Sequence, residues 1–167
     1  MPQAIVEREN RQLGPAREPV WKVWTAAGLW LGIIAVESSK LLSSENTGKF
    51  LYALYIRIFG AINLATFDIW HHYLRKTGHV IGYGILSWLL FRAWRATLPL
   101  IRDAGWAFRW AAVSFLMTAV VASLDEWHQS YIPSRTGTPW DVLLDSFAAL
   151  AVQILIYALL RRRAHQM

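Results

Sequence analysis

Cysteine is absent from all 167 residues, which excludes disulfides and thiolate metal sites and leaves the redox compartment unreadable. Charge is scarce: only 17% of the residues are Asp, Glu, Lys or Arg, against about 25% in an ordinary soluble domain. No internal repeat, low-complexity tract or nucleotide-binding glycine loop is present, and no two histidines stand at the helical spacing of a metal motif. Residues 1–19 are polar, with Arg8, Arg11 and Arg17 set among Glu7, Glu9 and Glu18, so a signal-peptide pattern is lacking and the first apolar run is expected to remain as an anchor.

What fills the chain instead is apolar side chain. Hydrophobic residues make up 55%, mean hydropathy is +0.28, and ten tryptophans lie near the ends of the apolar runs. Indoles favour that position at a membrane interface, half in hydrocarbon and half among headgroups. A soluble protein this apolar would expose large sticky patches. The net charge of +6 does not point to nucleic acid, because the basic residues are spread along the rims of the apolar segments, where they anchor and orient.

The expected fold is an all-α membrane protein with four transmembrane helices. The first span is Val20 to Val36, the second has its membrane part at about His79 to Trp94, and the third and fourth run from Ala104 to Ser123 and from Asp141 to Leu160. In the first outer loop, Ser44 reads as an N-cap with Glu45 behind it and Gly60 as a stop. The intervening Phe50 to Phe59 is apolar but short, so an interfacial or re-entrant helix is expected there. Gly78, Gly82 and Gly84 would admit a neighbouring helix, Ser114 and Thr118 would bond their own helix backbone or a neighbour, and Trp127 to Trp140 reads as a turn-rich loop. The domain division is a polar tail at 1–19, a membrane domain at 20–160 and a basic tail at 161–167. Eleven Lys and Arg flank one side of these spans and six the other, which predicts both termini in the cytoplasm. Arg92, Arg95 and Arg102 read as topology determinants, and Asp68 and Arg75 as solvated.

Against this apolar background the ionisable residues converge. His72, Lys76, His79 and Tyr83 are spaced 4, 3 and 4, one face of a helix. Asp125, Glu126, His128 and Gln129 close the third span, Asp141 and Asp145 open the fourth one turn apart, Arg135 lies between them, and Glu37 ends the first span. The topology gathers all of these at the outer face. His71, on another side from His72, reads as an interfacial histidine. Each charge at membrane depth costs about 2.5–3.5 kcal/mol on insertion scales, so such groups pair or serve a function. Lys76 and Arg135 suit anionic oxygens. His79 suits general acid–base work, and Glu126 or Asp141 a base or nucleophile. Glu37, Tyr83, Asp125, Gln129 and Asp145 complete a ligand-binding set. A divalent metal is a further option: Mg²⁺ or Mn²⁺ on Asp125, Glu126, His128, Asp141 and Asp145, or Zn²⁺ with His79.

At these residues the sequence resembles the VanZ-like family, small polytopic bacterial membrane proteins named after an accessory factor for teicoplanin resistance. The resemblance rests on Lys76-x-x-His79-x-x-x-Tyr83, Asp125-Glu126-x-x-Gln129, Pro133-Ser134-Arg135-x-Gly137 and Asp141-Val-x-x-Asp145, in that order within about residues 20–160. Where the family often has Asn, this chain has Asp145. The resemblance implies a bacterial plasma membrane and a four-helix domain more than it implies a mechanism. Ser134-Arg135 followed by Asp141 and Asp145 also echoes the last motif of membrane phosphatases related to phosphatidic-acid phosphatase, but the nucleophilic histidine of that motif is missing.

The functional expectation is recognition of a phosphate-bearing or lipid-linked envelope compound by this cluster, with membrane lipids as partners. One alternative is a membrane-embedded phosphoryl-transfer or hydrolytic enzyme. A second is a non-catalytic structural or proton-relay protein. Four helices without a repeat argue against a transporter unless the chain oligomerises.

Overall fold

The structure is a computed structural model that describes residues 18–98, 106–133, 135 and 137–164. Arg8, Arg11, Arg17, Arg102, Ala104, Ser134 and the last three residues of the basic tail lie outside the described residues.

Every element among the described residues is helical. Helix α1 (Val20–Ser38) stops where Ser39 turns extended, at φ −73° and ψ 166°. A single 3₁₀ turn (Lys40–Leu42) then leads to α2 (Ser44–Phe59). The cap of α2 is Ser43, one residue before the expected Ser44, and its hydroxyl accepts the Asn46 N–H at 3.5 Å. A capping residue must be extended, and Ser43 is, whereas Ser44 already belongs to the helix. Glu45 sits in the first turn as expected, and Gly60 ends the helix at φ +91°, a conformation glycine tolerates and side-chain-bearing residues rarely adopt.

Asn63 then caps α3 (Leu64–Thr97), accepting the Ala65 N–H at 2.9 Å. The two helices are bent by 116° from one another, and α2 buries none of its residues. Helix α4 is Phe108–Gln129 and α5 is Pro139–Ala164. Thr138 caps α5 through the Asp141 N–H at 3.3 Å, and Pro139 follows at the first helical position, where its missing N–H costs nothing.

Three helices, α1, α4 and α5, are each long and apolar enough to cross a membrane, with mean hydropathy of 1.3, 1.3 and 2.1 in their best windows; the bent α2–α3 pair makes up to four. The 34 residues of α3 extend about 51 Å at 1.5 Å per residue, well beyond a hydrocarbon core of about 30 Å. The fold is that of an all-α membrane protein. The helices overrun the expected spans at the polar end: α4 continues through Asp125, Glu126 and Gln129 instead of stopping at Ser123, and the expected loop shrinks to the residues after Gln129. The continuation is stable because Glu126 and Gln129 turn inward and are buried.

Helix α3 is the axis of the bundle, packing against α1, α4 and α5, while α1 makes no contact with α5 among the described residues. Ala27 and Ile34 of α1, Tyr83, Leu86, Leu89 and Leu90 of α3, and Ala122 of α4 form the main core. Phe91, Trp110 and Ala111 form a second core toward the opposite end. Ala93, Ala122 and Ala149 are wholly buried; such small residues let membrane helices approach closely. Large apolar side chains face outward instead, Phe108, Phe147 and Leu29 among them, as a lipid environment requires. The three glycines of α3 do not serve one neighbour as expected: Gly84 meets Val152 of α5, while Gly78 lies beside Glu37 and Gly82 gives its carbonyl to Trp30 at 2.8 Å, both toward α1. Ser114 and Thr118 bond their own helix, to Trp110 at 2.6 Å and to Ser114 at 2.8 Å.

Among the described glycines the tightest approach is at Gly137, where any Cβ would collide with the Glu126 carbonyl oxygen. Gly137→Ala is therefore expected to cost about 1–3 kcal/mol through overpacking. Gly28→Ala and Gly32→Ala, inside α1 and with nothing within 4 Å of the added Cβ, should not lower the thermal midpoint of the detergent-solubilised protein, since alanine favours a helix over glycine by up to about 1 kcal/mol. Equal midpoints for all three variants would contradict this packing.

Candidate functional site

Helices α3 and α5 run parallel and are joined by a ladder of polar contacts. Lys76 pairs with Asp141 at its top. One turn along, His79 Nδ1 lies 3.2 Å from Asp145 Oδ2. Deeper, Gln153 donates to the Ser87 hydroxyl at 2.8 Å and to the Ser87 carbonyl at 3.1 Å, and Ser87 donates to the Ala149 carbonyl at 3.2 Å. The 3- and 4-residue spacings on the two helices hold these rungs in register. Asp145 is completely buried, and its second oxygen, Oδ1, has no hydrogen-bond partner.

Helix α4 supplies the third wall. Asp125 Oδ2 accepts from the Tyr83 hydroxyl at 2.8 Å and from Gln129 Nε2 at 3.0 Å. Glu126 is buried, and its Oε2 accepts the Thr138 N–H at 3.0 Å. Donor atoms of His79, Glu126 and Asp145 all lie within 4.8 Å of one another, one from each of three helices. An imidazole held by a carboxylate can carry a proton to or from a bound group.

Arg135 folds back from the loop between α4 and α5. Its Nη2 donates to the carbonyls of Glu37, Ser39 (3.4 Å) and Leu42 (2.8 Å). These are the carbonyls that a helix end and the turn after it leave unpaired, and a cation there also suits the negative end of the α1 dipole. Through Nη2 the expected anion clamp is thus engaged by the chain itself, while its Nε is buried without a partner. Burial, with Arg75 nearby as the second cause, holds the Arg135 guanidinium below its ordinary value. A group so basic stays cationic.

These residues open onto two adjoining hollows. One is a polar cavity of about 430 Å³ walled by Arg75, Lys76, His79, Glu126, Gln129, Arg135 and Asp141, with Glu45, Asp68 and His72 at its rim. The other is an apolar groove of about 750 Å³ between α1, α2 and α3, lined by Gly28, Leu29, Gly32, Ile33, Leu51 and Leu74 among others. His71, Arg75, His79 and Arg135 line both.

Of the expected site residues, Lys76, His79, Glu126, Gln129, Arg135 and Asp141 line the polar cavity, Glu37 lines the groove, and Tyr83, Asp125 and Asp145 stand behind them. His128 is exposed and does not join them. The broad carboxylate metal set also narrows, because Asp141 faces Lys76 and Asp125 faces Tyr83 and Gln129.

Two residues of the cavity depart from their reading in the sequence. Arg75 is half-buried in both hollows, with no hydrogen bond or ion pair to another described residue. Of the described cations that wall the cavity, it is the one left available. His71 is buried, stacked on Phe67 with ring centroids 5.8 Å apart, and 3.2 Å from the Thr47 hydroxyl. Thr47 already donates to the Ser43 carbonyl, so His71 Nε2 must be the donor in their contact. The sequence signal for both lay in the fourfold spacing from His71 to Arg75, which marks a second polar face beside the first.

Residues 23–161 match the sequence model of the family described as VanZ/LLP1. No curated protein and no solved structure matches the chain.

Removing the Arg135 side chain strands three carbonyls at the end of α1. Arg135→Ala is expected to lower stability by about 2–3 kcal/mol, the cost of lost charge-assisted hydrogen bonds and unpaired acceptors. Thermal unfolding in detergent would read it, and an unchanged midpoint would rule out a structural role for Arg135.

Proposed function

The chain belongs to the VanZ/LLP1 family, and from that premise we propose that it recognises an amphiphile with a phosphate-bearing head and a long apolar chain, at the outer face of the bacterial plasma membrane. Both termini are then cytoplasmic, in keeping with the Lys and Arg excess on that side of the spans. The observation that carries the reading is the continuity of the two hollows through shared walls. A head in the polar cavity would meet Arg75 and Lys76 within reach of His79, while its apolar chain would lie in the groove along Gly28, Leu29, Gly32 and Ile33. Arginine favours planar, bidentate contact with phosphate oxygens, and Arg75 is not engaged elsewhere among the described residues. Apolar burial at about 25 cal/mol per Å² would supply much of the affinity. Lipid-linked envelope intermediates have this chemistry.

A second reading places hydrolysis or phosphoryl transfer in the same cavity, favoured by the His79–Asp145 pair facing Glu126 across the bundle. In that reading His79 is the general acid or base, with Glu126 or Asp141 as base or nucleophile.

Binding of a polyprenyl monophosphate to the protein in nanodiscs, followed by native mass spectrometry, tests the recognition reading. Arg75→Gln is expected to weaken binding about tenfold, the loss of one charge-assisted phosphate contact. Gly32→Leu, which fills the groove without meeting a neighbour within 4 Å at its Cβ, should weaken it comparably. Unaltered binding in both variants contradicts the placement of head and chain. His79→Ala separates the two readings: if binding persists while release of inorganic phosphate from the same lipid stops, the protein is an enzyme.

A further inference from the structure

The polar end of the bundle carries more carboxylate than its cations balance. Among the described Asp, Glu, Lys and Arg residues there that are not exposed, Arg75, Lys76 and Arg135 face Glu37, Asp125, Glu126, Asp141 and Asp145, with the histidines His71 and His79 counted as neutral. Three positive charges against five negative ones leave two negative charges in a region where uncompensated charge is costly. The shortfall is not spread evenly. Lys76 takes Asp141, while Asp125 is bonded by Tyr83 and Gln129. Asp145, wholly buried with Oδ1 unpartnered, and Glu126, buried with a single backbone donor at Oε2, are left facing His79.

We propose that His79, Glu126 and Asp145 form a binding site for one divalent transition-metal ion. The donor atoms lie within 4.8 Å of one another and come from three different helices, so the site exists only when α3, α4 and α5 have assembled. Ligands about 2.0–2.1 Å from a tetrahedral zinc ion lie about 3.3 Å apart, close to the 3.2 Å between His79 Nδ1 and Asp145 Oδ2. The Glu126 side chain, anchored only at Oε2, can close the remaining distance. One imidazole with two carboxylates selects zinc or manganese over magnesium or calcium, whose preferred ligands are all oxygen. A dication cancels the two excess charges beside Asp145, whose carboxylate has one oxygen, Oδ1, without a hydrogen-bond partner. Because His79 and Glu126 line the polar cavity, the remaining coordination positions open onto it. The site does not depend on the lipid reading, since its ligands are set by helix packing alone.

The test uses the full chain, purified in detergent with a histidine-free affinity tag and stripped with EDTA. Titration with Zn²⁺ and then Mn²⁺ is followed by elemental analysis after gel filtration. About one equivalent per chain is expected for at least one of the two metals, with a thermal midpoint that rises on loading and falls again with EDTA. His79→Ala and Asp145→Asn should lose metal at least tenfold, while His128→Ala, at an exposed histidine, and the groove-filling Gly32→Leu retain it. Co²⁺ loading should give visible absorption that His79→Ala abolishes. Should the two ligand variants fail to accumulate, the wild-type titration decides: a reversible midpoint shift with stoichiometric metal supports the site. Less than about a tenth of an equivalent with no shift for either metal overturns it, as does full retention of metal by folded His79→Ala and Asp145→Asn.

Discussion

Two carboxylates on the first two turns of α5 must be reconciled with an apolar environment, and most of the architecture follows from how that is done. Asp141 and Asp145 are answered by Lys76 and His79 on a parallel helix. Removing one partner from such a pair leaves a buried charge uncompensated, at a cost of about 3–5 kcal/mol. The pairing therefore fixes the register and rotation of α3 against α5 more strictly than apolar contact, which in lipid gives little preference for one helix face over another. Turning α3 by a single residue would carry both Lys76 and His79 away from their carboxylates. The deeper contacts among Ser87, Ala149 and Gln153 continue the same alignment.

With α3 and α5 fixed, the remaining pieces have defined places. Tyr83 reaches Asp125 from the same face of α3 and draws α4 in. The loop after α4 is held by the Thr138 N–H on Glu126 and by the close contact at Gly137, and it delivers Arg135 to the end of α1. One arginine thus connects the α4–α5 loop to the first helix, although α1 and α5 make no contact among the described residues. Structural and cavity-facing charge are consequently divided: Arg135 gives Nη2 to carbonyls, while Arg75, one turn from His79, is left to face the cavity.

That division explains how a polar chamber persists at one end of an apolar bundle. Its walls are stabilised by pairs formed behind the cavity surface. The bend between α2 and α3, set by the positive φ of Gly60 and the Asn63 cap, keeps α2 beside the opening. It leaves an apolar groove there whose residues could not be covered by the three well-packed helices alone.

The class of the protein and much of its plan were legible in the sequence. Hydropathy is a sum over neighbouring residues, so the membrane helices, the extra helix ending at Gly60 and the convergence of Lys76, His79, Glu126 and Asp141 could be read from local runs and helical spacing. So could the family, from the four polar motifs that follow one another between Lys76 and Asp145. Which atoms each side chain would spend on its neighbours could not. That allotment depends on helices far apart in sequence meeting to within a few tenths of an ångström, and periodicity carries no such information. Only the tertiary structure gave Arg135 to the end of α1, moved Arg75 and His71 into the cavity walls, excluded His128, and left one oxygen of Asp145 unpaired beside His79 and Glu126.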